Sequence, residues 1–430
     1  MIISKNNEKN LIKTLEYRNI INQITDKNNL KNILMEKKIN LYCGFDPTAD
    51  SLHIGHLIPL IILRYFQKLG HKPIILLGGA TGLIGDPSFK LQERKKQPID
   101  LMNKWISKIS SQIKLFLDFN CGSNSALIVN NYDWFSKMNV LFFLKEIGKY
   151  FCVNQMMNKE SIKNRINRNI QGISFTEFSY NLLQSYDFAY LNKYFNVILQ
   201  IGGSDQWGHI VSGVDLVKKI YKQQVFGLTN KLITKNDGTK FGKTENKTIW
   251  LDALKTSPYD FFQFWLNVDD NLVYNFLKMF TTIKINTIEN LQKSNNNSIK
   301  KNSAQNILAE HMTYLVHGKN ALESAKKITD HIFHKKLNDL SKNDFNMLLI
   351  NGINNIVLKN ENYSLQEILI LSRLAKSRSH AKNMIESNSI YINNKKKSDI
   401  LYFFTEEDKI FNHFTLLRRG KKNFCLLYWK

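Results

Sequence analysis

The chain reads as an α/β protein: a doubly wound parallel sheet fills its first half, followed by an all-α region and a small α+β end module. Three observations predict this. Short apolar runs at Asn40–Phe45, Lys72–Leu77, Ala126–Val129 and Val197–Ile201 are each followed by Gly, Asn or Asp, as buried parallel strands are. Between the first two runs, residues 55–69 are mostly apolar, with Arg64, Gln67 and Lys68 on one face. From about Ser257 the pattern turns helical, with no clear strand before the end module.

Strand, turn, helix, strand is the opening of a doubly wound sheet, in which ligands bind at the carboxyl ends of strands. Pro59 falls in the first turn of the predicted helix, where its missing N–H does no harm. The expected divisions are a sheet domain over residues 1–230, a loop and linker over 231–256, a helical domain over 257–350 and an end module over 363–430. Lys293–Asn306 is polar and reads as a surface loop or frayed helix, and Lys335–Asn362 is a second polar region. The end module opens with Leu365, Ile368, Leu369, Leu371 and Leu374 at helical spacing and finishes in short alternating segments.

With 430 residues, 43% of them hydrophobic, the chain can build two to four packed domains. Cys43, Cys121, Cys152 and Cys425 are far apart and form no CxxC pair, which argues against a zinc site or disulfide framework and fits a reducing compartment. The first residues lack the apolar core of a signal peptide, and no run reaches membrane-spanning length, so a soluble cytoplasmic protein is expected, with no membrane partner. The net charge of +24, from 60 Lys and Arg against 36 Asp and Glu, suits a polyanion partner. Enrichment in Lys, Asn and Ile along the whole chain offers a second source for that excess, so placement matters more than total.

Five segments carry candidate chemistry. His53-Ile54-Gly55-His56 puts two imidazoles one turn apart after an apolar strand. Metal binding there needs a third ligand, with Asp46 and Asp50 the local candidates. The alternatives are purely structural histidines, or N–H donors for an anion at a helix start. Gly78-Gly79-Ala80-Thr81-Gly82-Leu83-Ile84-Gly85-Asp86 is neither a Walker A loop nor a GxGxxG fingerprint. Asp86 behind such a turn could pair with a ligand amine, and Lys90 and Arg94 would share a face if helical. Tyr180, Gln184 and Asp187, spaced i, i+4, i+7, make a polar stripe on an otherwise apolar helix, costly to bury unless bound to something. Gln200-Ile201-Gly202-Gly203-Ser204-Asp205-Gln206 joins a strand to a glycine pair and a carboxylate able to accept both hydroxyls of a ribose. Lys240 and Lys243 flank Phe241-Gly242 on a loop.

His53–His56 and Lys240-Phe241-Gly242-Lys243-Thr244 resemble the HIGH and KMSKS signatures of class I aminoacyl-tRNA synthetases, and over nearly its whole length the chain resembles the bacterial-type tyrosyl-tRNA synthetases. The resemblance implies a Rossmann-like catalytic domain that activates L-tyrosine with ATP and Mg²⁺, then charges tRNA(Tyr). His53 would stabilise the α-phosphate, His56 would pack on the nucleotide and Thr48 would reach the γ-phosphate. Lys90, Arg94, Lys240 and Lys243 would hold the charge of the transition state. Tyr42 and Asp187 would read the phenol hydroxyl; Tyr180, Gln184 and Asp86 would take the ammonium, with Gln206 beside them. Cys43, Gly44, Asp46, Gly55, Gly203 and Asp205 would line the ATP site, and no protein-held metal is expected.

The family is homodimeric, and its end module, similar to one in a ribosomal small-subunit protein, binds RNA. Arg373, Lys376, Arg378, Lys382, Lys395–Lys397 and Arg418–Lys422 supply phosphate-binding charge there. Two departures from the family pattern are His209, where Asn is usual, and Asn388, where Gly is usual; Asn tolerates the left-handed turn. A tryptophanyl-tRNA synthetase and a catalytically inactive RNA-binding relative are the rival readings. The Tyr42/Asp187 pair argues against the first and the intact motifs against the second.

Overall fold

A computed structural model describes residues 11–88, 97–159, 162–163, 172–234, 241–244, 247–295, 303–334, 337–350, 353–420 and 423–430. Lys90, Arg94, Lys240, Lys421 and Lys422 lie outside the described residues, as does the side chain of Lys243. The chain divides into two compact units, Met1–Ile249 with Asn275–Asn290, and Trp250–Tyr274 with Leu291–Lys430.

The first unit is built on six strands: β1 (Ile21–Ile24), β2 (Asn40–Phe45), β3 (Lys72–Leu77), β4 (Leu127–Asn130), β5 (Val197–Gly203) and β6 (Phe226–Asn230). Their order is β1-β6-β5-β2-β3-β4, parallel throughout except for the antiparallel β1 edge. The order departs in opposite directions from β2, to β3 and β4 on one side and to β5 and β6 on the other. The crevice of the sheet therefore opens between the carboxyl ends of β2 and β5. The sequence reading placed β2 and β3 at their observed bounds and found β4 and β5. It missed β1, a four-residue edge whose two middle residues are polar and exposed, and β6, whose Gly, Thr and Asn are all buried.

After β2 the chain makes a short 3₁₀ turn (Ile54–His56) and the Leu57–Lys68 helix. Leu57, Ile58, Leu60, Ile62, Leu63 and Phe66 of that helix are almost completely enclosed, each worth about 1.5–3 kcal/mol of apolar burial. The Phe175–Phe195 helix is capped by Ser174, whose hydroxyl oxygen accepts from the Glu177 N–H, and ends at Asn196 in the left-handed region (φ 50°). It buries both apolar residues (Phe188, Ala189, Leu191) and polar ones (Tyr180, Asn181, Ser185, Asp187). Residues 275–290 are tied into this unit by Arg18, whose guanidinium donates to the carbonyls of Lys278 (2.9 Å), Thr281 (2.7 Å) and Ile283 (2.8 Å). A two-strand ladder, β7 (Lys243–Thr244) and β8 (Lys247–Thr248), closes the loop before Ile249.

The second unit starts with the Pro258–Leu266 helix, capped by Ser257 and with proline at its first position. It continues with the Ser303–His334 helix, interrupted at Gly318 (φ 81°), and the Lys342–Leu349 helix. The end module holds β9 (Asn354–Leu358), β10 (Ile390–Ile392), β11 (Lys395–Lys397), β12 (Phe414–Arg419) and β13 (Asn423–Trp429), ordered β11-β10-β12-β13-β9. The Leu365–Leu371 and Arg378–Glu386 helices cover one face, packing Leu369, Ile385, Leu417 and Leu427 around Trp429. The other face is shared: Phe414, Leu416 and Leu426 pack with Tyr259, Ile328 and Phe345 of the helical region in one core. β9 falls in a stretch read as polar, and β11 is three lysines on an edge, where charge discourages pairing with other chains. Asn388 does take the left-handed conformation (φ 57°).

Candidate active site

Two neighbouring strands deliver most of the candidate residues. β2 carries Tyr42, Cys43 and Gly44 and hands on to Asp46 and Thr48; β5 runs opposite it, with Tyr42 in register with Gln200, and hands on to Gly203, Asp205 and Gln206. Cys43 is buried, its thiol pushed up to about 12 by desolvation, while Gly44 and Thr48 are exposed.

His53 and His56 hold one another and the turn between them. The Gly55 N–H donates to His53 Nδ1 and the His53 N–H to His56 Nδ1, both at 3.1 Å, and the rings stack with centroids 4.0 Å apart. An accepting Nδ1 puts the proton of a neutral imidazole on Nε2, so each ring has Nε2–H as its donor. A side-chain carbon at Gly55 would stand 2.9 Å from the His53 ring, so glycine is what lets the ring fold back over the turn. The two carboxylates weighed as metal partners are otherwise engaged. Asp46 accepts from Thr81 Oγ1 and from the Tyr180 hydroxyl, each at 2.7 Å, and Asp50 accepts from Lys108 at 3.0 Å.

Asp187 is buried on the Phe175–Phe195 helix, accepting from Asn131 Nδ2 and Trp134 Nε1, both at 3.0 Å. Burial pushes its carboxyl well above the usual carboxylate range; those two N–H donors pull it back, and the Asp46 charge adds to the rise. Burial, then the charge of Asp187, raises the Tyr42 phenol well above its ordinary value. The Tyr42 hydroxyl is fully enclosed and has no hydrogen-bond partner among the described residues; the same holds for the side-chain oxygens of Gln184 and Gln200. Orphaned buried oxygens of this kind cost about 1–3 kcal/mol each, an expense that a polar ligand would remove.

Asp86 follows Gly85, whose φ of 90° turns the chain out of the short Thr81–Ile84 helix. It accepts from the Ser88 N–H and from Gln206 Nε2, both at 2.8 Å, and its Oδ1 is 3.5 Å from His209 Nε2. Burial alone would raise this carboxyl, but the hydrogen bond and charge of the His209 ring, with the Ser88 N–H, hold it well below the carboxylate range. Tyr180, Gln184 and Asp187 do share a face of the Phe175–Phe195 helix, with the Tyr180 hydroxyl turned onto Asp46.

Asn131 and Trp134 were not among the sequence candidates, and Thr81 and Gln200 stood within candidate segments without a role of their own. Thr81 Oγ1 accepts from Asn131 Nδ2 at 2.9 Å and donates to Asp46 Oδ1 at 2.7 Å, joining the two acids in one network. The run Asn130-Asn131-Tyr132-Asp133-Trp134 stands at the carboxyl end of β4, and polar residues at that position of a doubly wound sheet were the available signal.

Fold and site together define a class I aminoacyl-tRNA synthetase. Residues 10–334 match the family described as tRNA synthetases class I (W and Y), and residues 344–427 match the tyrosine--tRNA ligase SYY-like C-terminal domain. A tyrosine--tRNA ligase of Escherichia coli O8 (strain IAI1) is 56% identical over 421 residues, 98% of this chain and 99% of the relative. Among solved structures, a C-terminally truncated mitochondrial tyrosyl-tRNA synthetase of Aspergillus nidulans aligns with TM-score 0.67 and 30% identity, over 75% of this chain and 94% of that one. The tyrosyl-tRNA synthetase of Archaeoglobus fulgidus, at 16% identity and TM-score 0.53 over 74% of this chain and 99% of that one, shares the fold. The chain belongs to the tyrosine--tRNA ligases, the tyrosyl branch of the class I synthetases.

Proposed function

We propose that the crevice between β2 and β5 binds L-tyrosine and MgATP and couples them in two steps. A carboxylate oxygen of tyrosine attacks the α-phosphorus in line and pyrophosphate departs, leaving tyrosyl-adenylate. The terminal ribose hydroxyl of tRNA(Tyr) then attacks the acyl carbon, and AMP leaves. Neither step needs a protein nucleophile; positioning and charge stabilisation suffice. The Nε2–H of His53 is suited to the α-phosphate oxygen, His56 to the nucleotide above it, and Thr48 to the γ-phosphate. Gly203 leaves room for the adenosine, and Asp205 offers a carboxylate to its ribose. Lys90, Arg94, Lys240 and Lys243 supply positive charge in this reading. Among the described residues no group of three or more His, Cys, Asp or Glu could hold a metal, so Mg²⁺ is read as entering with the phosphates of ATP.

The observation that carries the tyrosine reading is a buried pair: the Asp187 acceptor, whose charge bears on Tyr42, and the Tyr42 hydroxyl, which has no partner among the described residues. A phenol hydroxyl placed between them donates to Asp187 and accepts from Tyr42, and phenylalanine leaves the Tyr42 hydroxyl unpaired. Asp86, Gln184 and Tyr180 supply oxygens for the ammonium. Tyrosine-dependent ATP–pyrophosphate exchange without tRNA, with phenylalanine and tryptophan as controls, tests this. Exchange with tyrosine alone is expected; exchange with tryptophan, or none from folded protein, overturns it.

The basic side chains of the end module are read as the tRNA surface. The Arg418 guanidinium lies 4.0 Å from the Tyr391 ring centroid and Lys397 Nζ 3.6 Å from that of Tyr402, pairing charge with aromatic faces as single-stranded RNA sites do. A homodimer is also proposed. Val140, Leu141, Phe142 and Leu144, close together in sequence, and Val153 and Phe175 are all at least half exposed, apolar surface that a second copy would cover. Sedimentation velocity is expected to give a dimer for the native chain and a monomer for Leu141→Asp.

A further inference from the structure

Successive backbone N–H groups around His53 end on different parts of the first unit. The Leu52 N–H donates to Gln112 Oε1 at 2.8 Å, the His53 N–H to His56 Nδ1 at 3.1 Å, and the Ile54 N–H to the Ile249 carbonyl at 3.1 Å. The bond to His56 stays within the turn, so it moves with His53 and cannot place it. The other two bracket the histidine and tie it to the rest of the unit. One of them depends on a single side chain, Gln112, which has no part in the proposed chemistry.

Gln112 stands near the end of the Ile99–Ile113 helix, which buries Met102, Ile109 and Ile113. Lys108 and Gln112, one turn apart, form the stripe beside that buried face. Lys108 Nζ donates to Asp50 Oδ2 at 3.0 Å on the exposed side. Gln112 uses both ends of its amide. Beside the Leu52 bond, its Nε2 donates to Ser51 Oγ at 3.1 Å, and the Ser51 hydroxyl goes on to the Leu52 carbonyl at 2.8 Å. Both receiving residues are buried, Ser51 at 3% and Leu52 at 1% exposure.

The segment needs such a partner. Between Phe45, which ends β2, and the Ile54–His56 turn, no strand ladder runs to offer its N–H groups an acceptor. A buried N–H is almost always paired, and at Leu52 a side-chain carbonyl does what a neighbouring strand would do elsewhere. The amide therefore grips the backbone one residue before His53 and touches nothing that reacts.

We propose that Gln112 is a positioning residue for His53: its amide holds the backbone from which the imidazole projects, and so fixes where Nε2–H meets the charge building on the α-phosphate. This rests on the reading of His53 as the α-phosphate donor. A donor displaced by about an ångström loses most of its value in the transition state. Tyrosine is read as meeting other residues, so the effect belongs in turnover and not in tyrosine affinity.

The test is ATP–pyrophosphate exchange, with the Kd of tyrosine by equilibrium dialysis, on the full chain and its variants. Gln112→Met keeps the length of the side chain but offers Leu52 no oxygen. It is expected to lower kcat by about ten- to a hundredfold and to leave the tyrosine Kd within about twofold. Gln112→Glu keeps an oxygen for the Leu52 N–H and takes the Ser51 hydroxyl on the other, so kcat should return to within about threefold of native. Lys108→Ala removes only an exposed ion pair of the same helix and should change kcat by less than about twofold.

The deciding measurement is a double-variant cycle. His53→Asn keeps an acceptor for the Gly55 N–H but removes the Nε2–H donor. Once that donor is gone, misplacing it costs nothing further, so adding Gln112→Met to His53→Asn should lower kcat by less than about twofold. A loss that persists in full in the His53→Asn background, or that appears equally in the tyrosine Kd, makes Gln112 a general prop and overturns the proposal. So does a Gln112→Met protein with native kcat. His53→Asn with native kcat overturns the phosphate reading of His53 and the proposal with it. Circular dichroism and the melting temperature establish that folded proteins are compared. If Gln112→Met does not fold, Gln112→Asn, whose amide is one methylene too short for Leu52, replaces it in the cycle with the same expectations.

Discussion

Gly242 stands directly against Ile54, so that a side-chain carbon on the glycine would fall inside the isoleucine. Backbone bonds join the two segments: the Ile54 N–H donates to the Ile249 carbonyl at 3.1 Å, and the Ile249 N–H to the Gly242 carbonyl at 3.0 Å. Gly242 also has φ 79°, a conformation that glycine takes at no steric cost. The loop bearing Lys243 is thus registered on the turn bearing the two histidines. Gly242→Ala should separate them, lowering kcat of exchange by about two orders of magnitude, as misplacement by an ångström does. The Kd for tyrosine should stay within about twofold of the native value, since none of the proposed tyrosine contacts lies on this loop. Exchange kinetics beside equilibrium dialysis check both halves.

Tyr42→Phe removes a buried hydroxyl that has no partner among the described residues. Losing an unsatisfied polar group from the interior should leave the melting temperature level or raise it, by up to about 1–3 kcal/mol of stability. In the same variant tyrosine should bind about tenfold more weakly, and the preference over phenylalanine should shrink. Differential scanning calorimetry and competitive exchange with the two amino acids separate these effects.

His71 gives the first unit a pH-dependent stability. Its Nδ1 accepts from the Ile39 N–H at 3.1 Å. Burial, with the Lys38 charge, lowers the imidazole from 6.5 to about 4. Between those two values the unfolded chain binds a proton that the folded chain refuses, so stability rises with pH across that window. The contribution is complete above about pH 6.5, lost progressively on acidification, and amounts to up to about 3 kcal/mol. Urea unfolding at about pH 7 and about pH 5 should show a smaller loss in His71→Gln, which retains an acceptor but no proton site.

Reversing charge at Arg378 and Lys382 should abolish or sharply weaken tRNA charging while leaving ATP–pyrophosphate exchange intact, since both lie on the Arg378–Glu386 helix of the end module. Removing the module would be a poorer test. Its Phe414, Leu416 and Leu426 share a core with Tyr259, Ile328 and Phe345, so truncation would strip the helical region as well. Charging assays over a range of salt should also show a shallower salt dependence in the double variant.

What could be read in the sequence follows how locally each feature is encoded. β2 and β3 are continuous apolar runs in the middle of a sheet, buried on both faces, and pattern alone bounds them. β1, β9 and β11 are edges, where one side of the strand meets solvent and the apolar signal disappears; β11 is lysine throughout. In the site, Tyr180, Gln184 and Asp187 were legible because three polar groups on an apolar helix have to be explained. Asn131 and Trp134 were not, because their partner Asp187 is 56 and 53 residues away in sequence. Nor could spacing show that Tyr180 turns its hydroxyl onto Asp46, a contact spanning 134 residues. His209 was legible only as a departure from the family pattern, and its bonds to Asp86, Ser88 and Asn181 are long-range in the same way.

The burial of Cys43 has a practical corollary for anyone who wants to watch this protein work. Its thiol and that of Cys425 are enclosed and held protonated, raised to about 12, whereas Cys121 and Cys152 are exposed. Maleimide dyes react with thiolates that solvent can reach, so the native chain accepts fluorophores at two positions while the strand lining the crevice stays unmodified. Cys152 immediately precedes Val153, one of the exposed apolar residues read as the subunit contact. The number of dyes taken up per chain, one or two, thus becomes a colorimetric reading of whether that surface is covered.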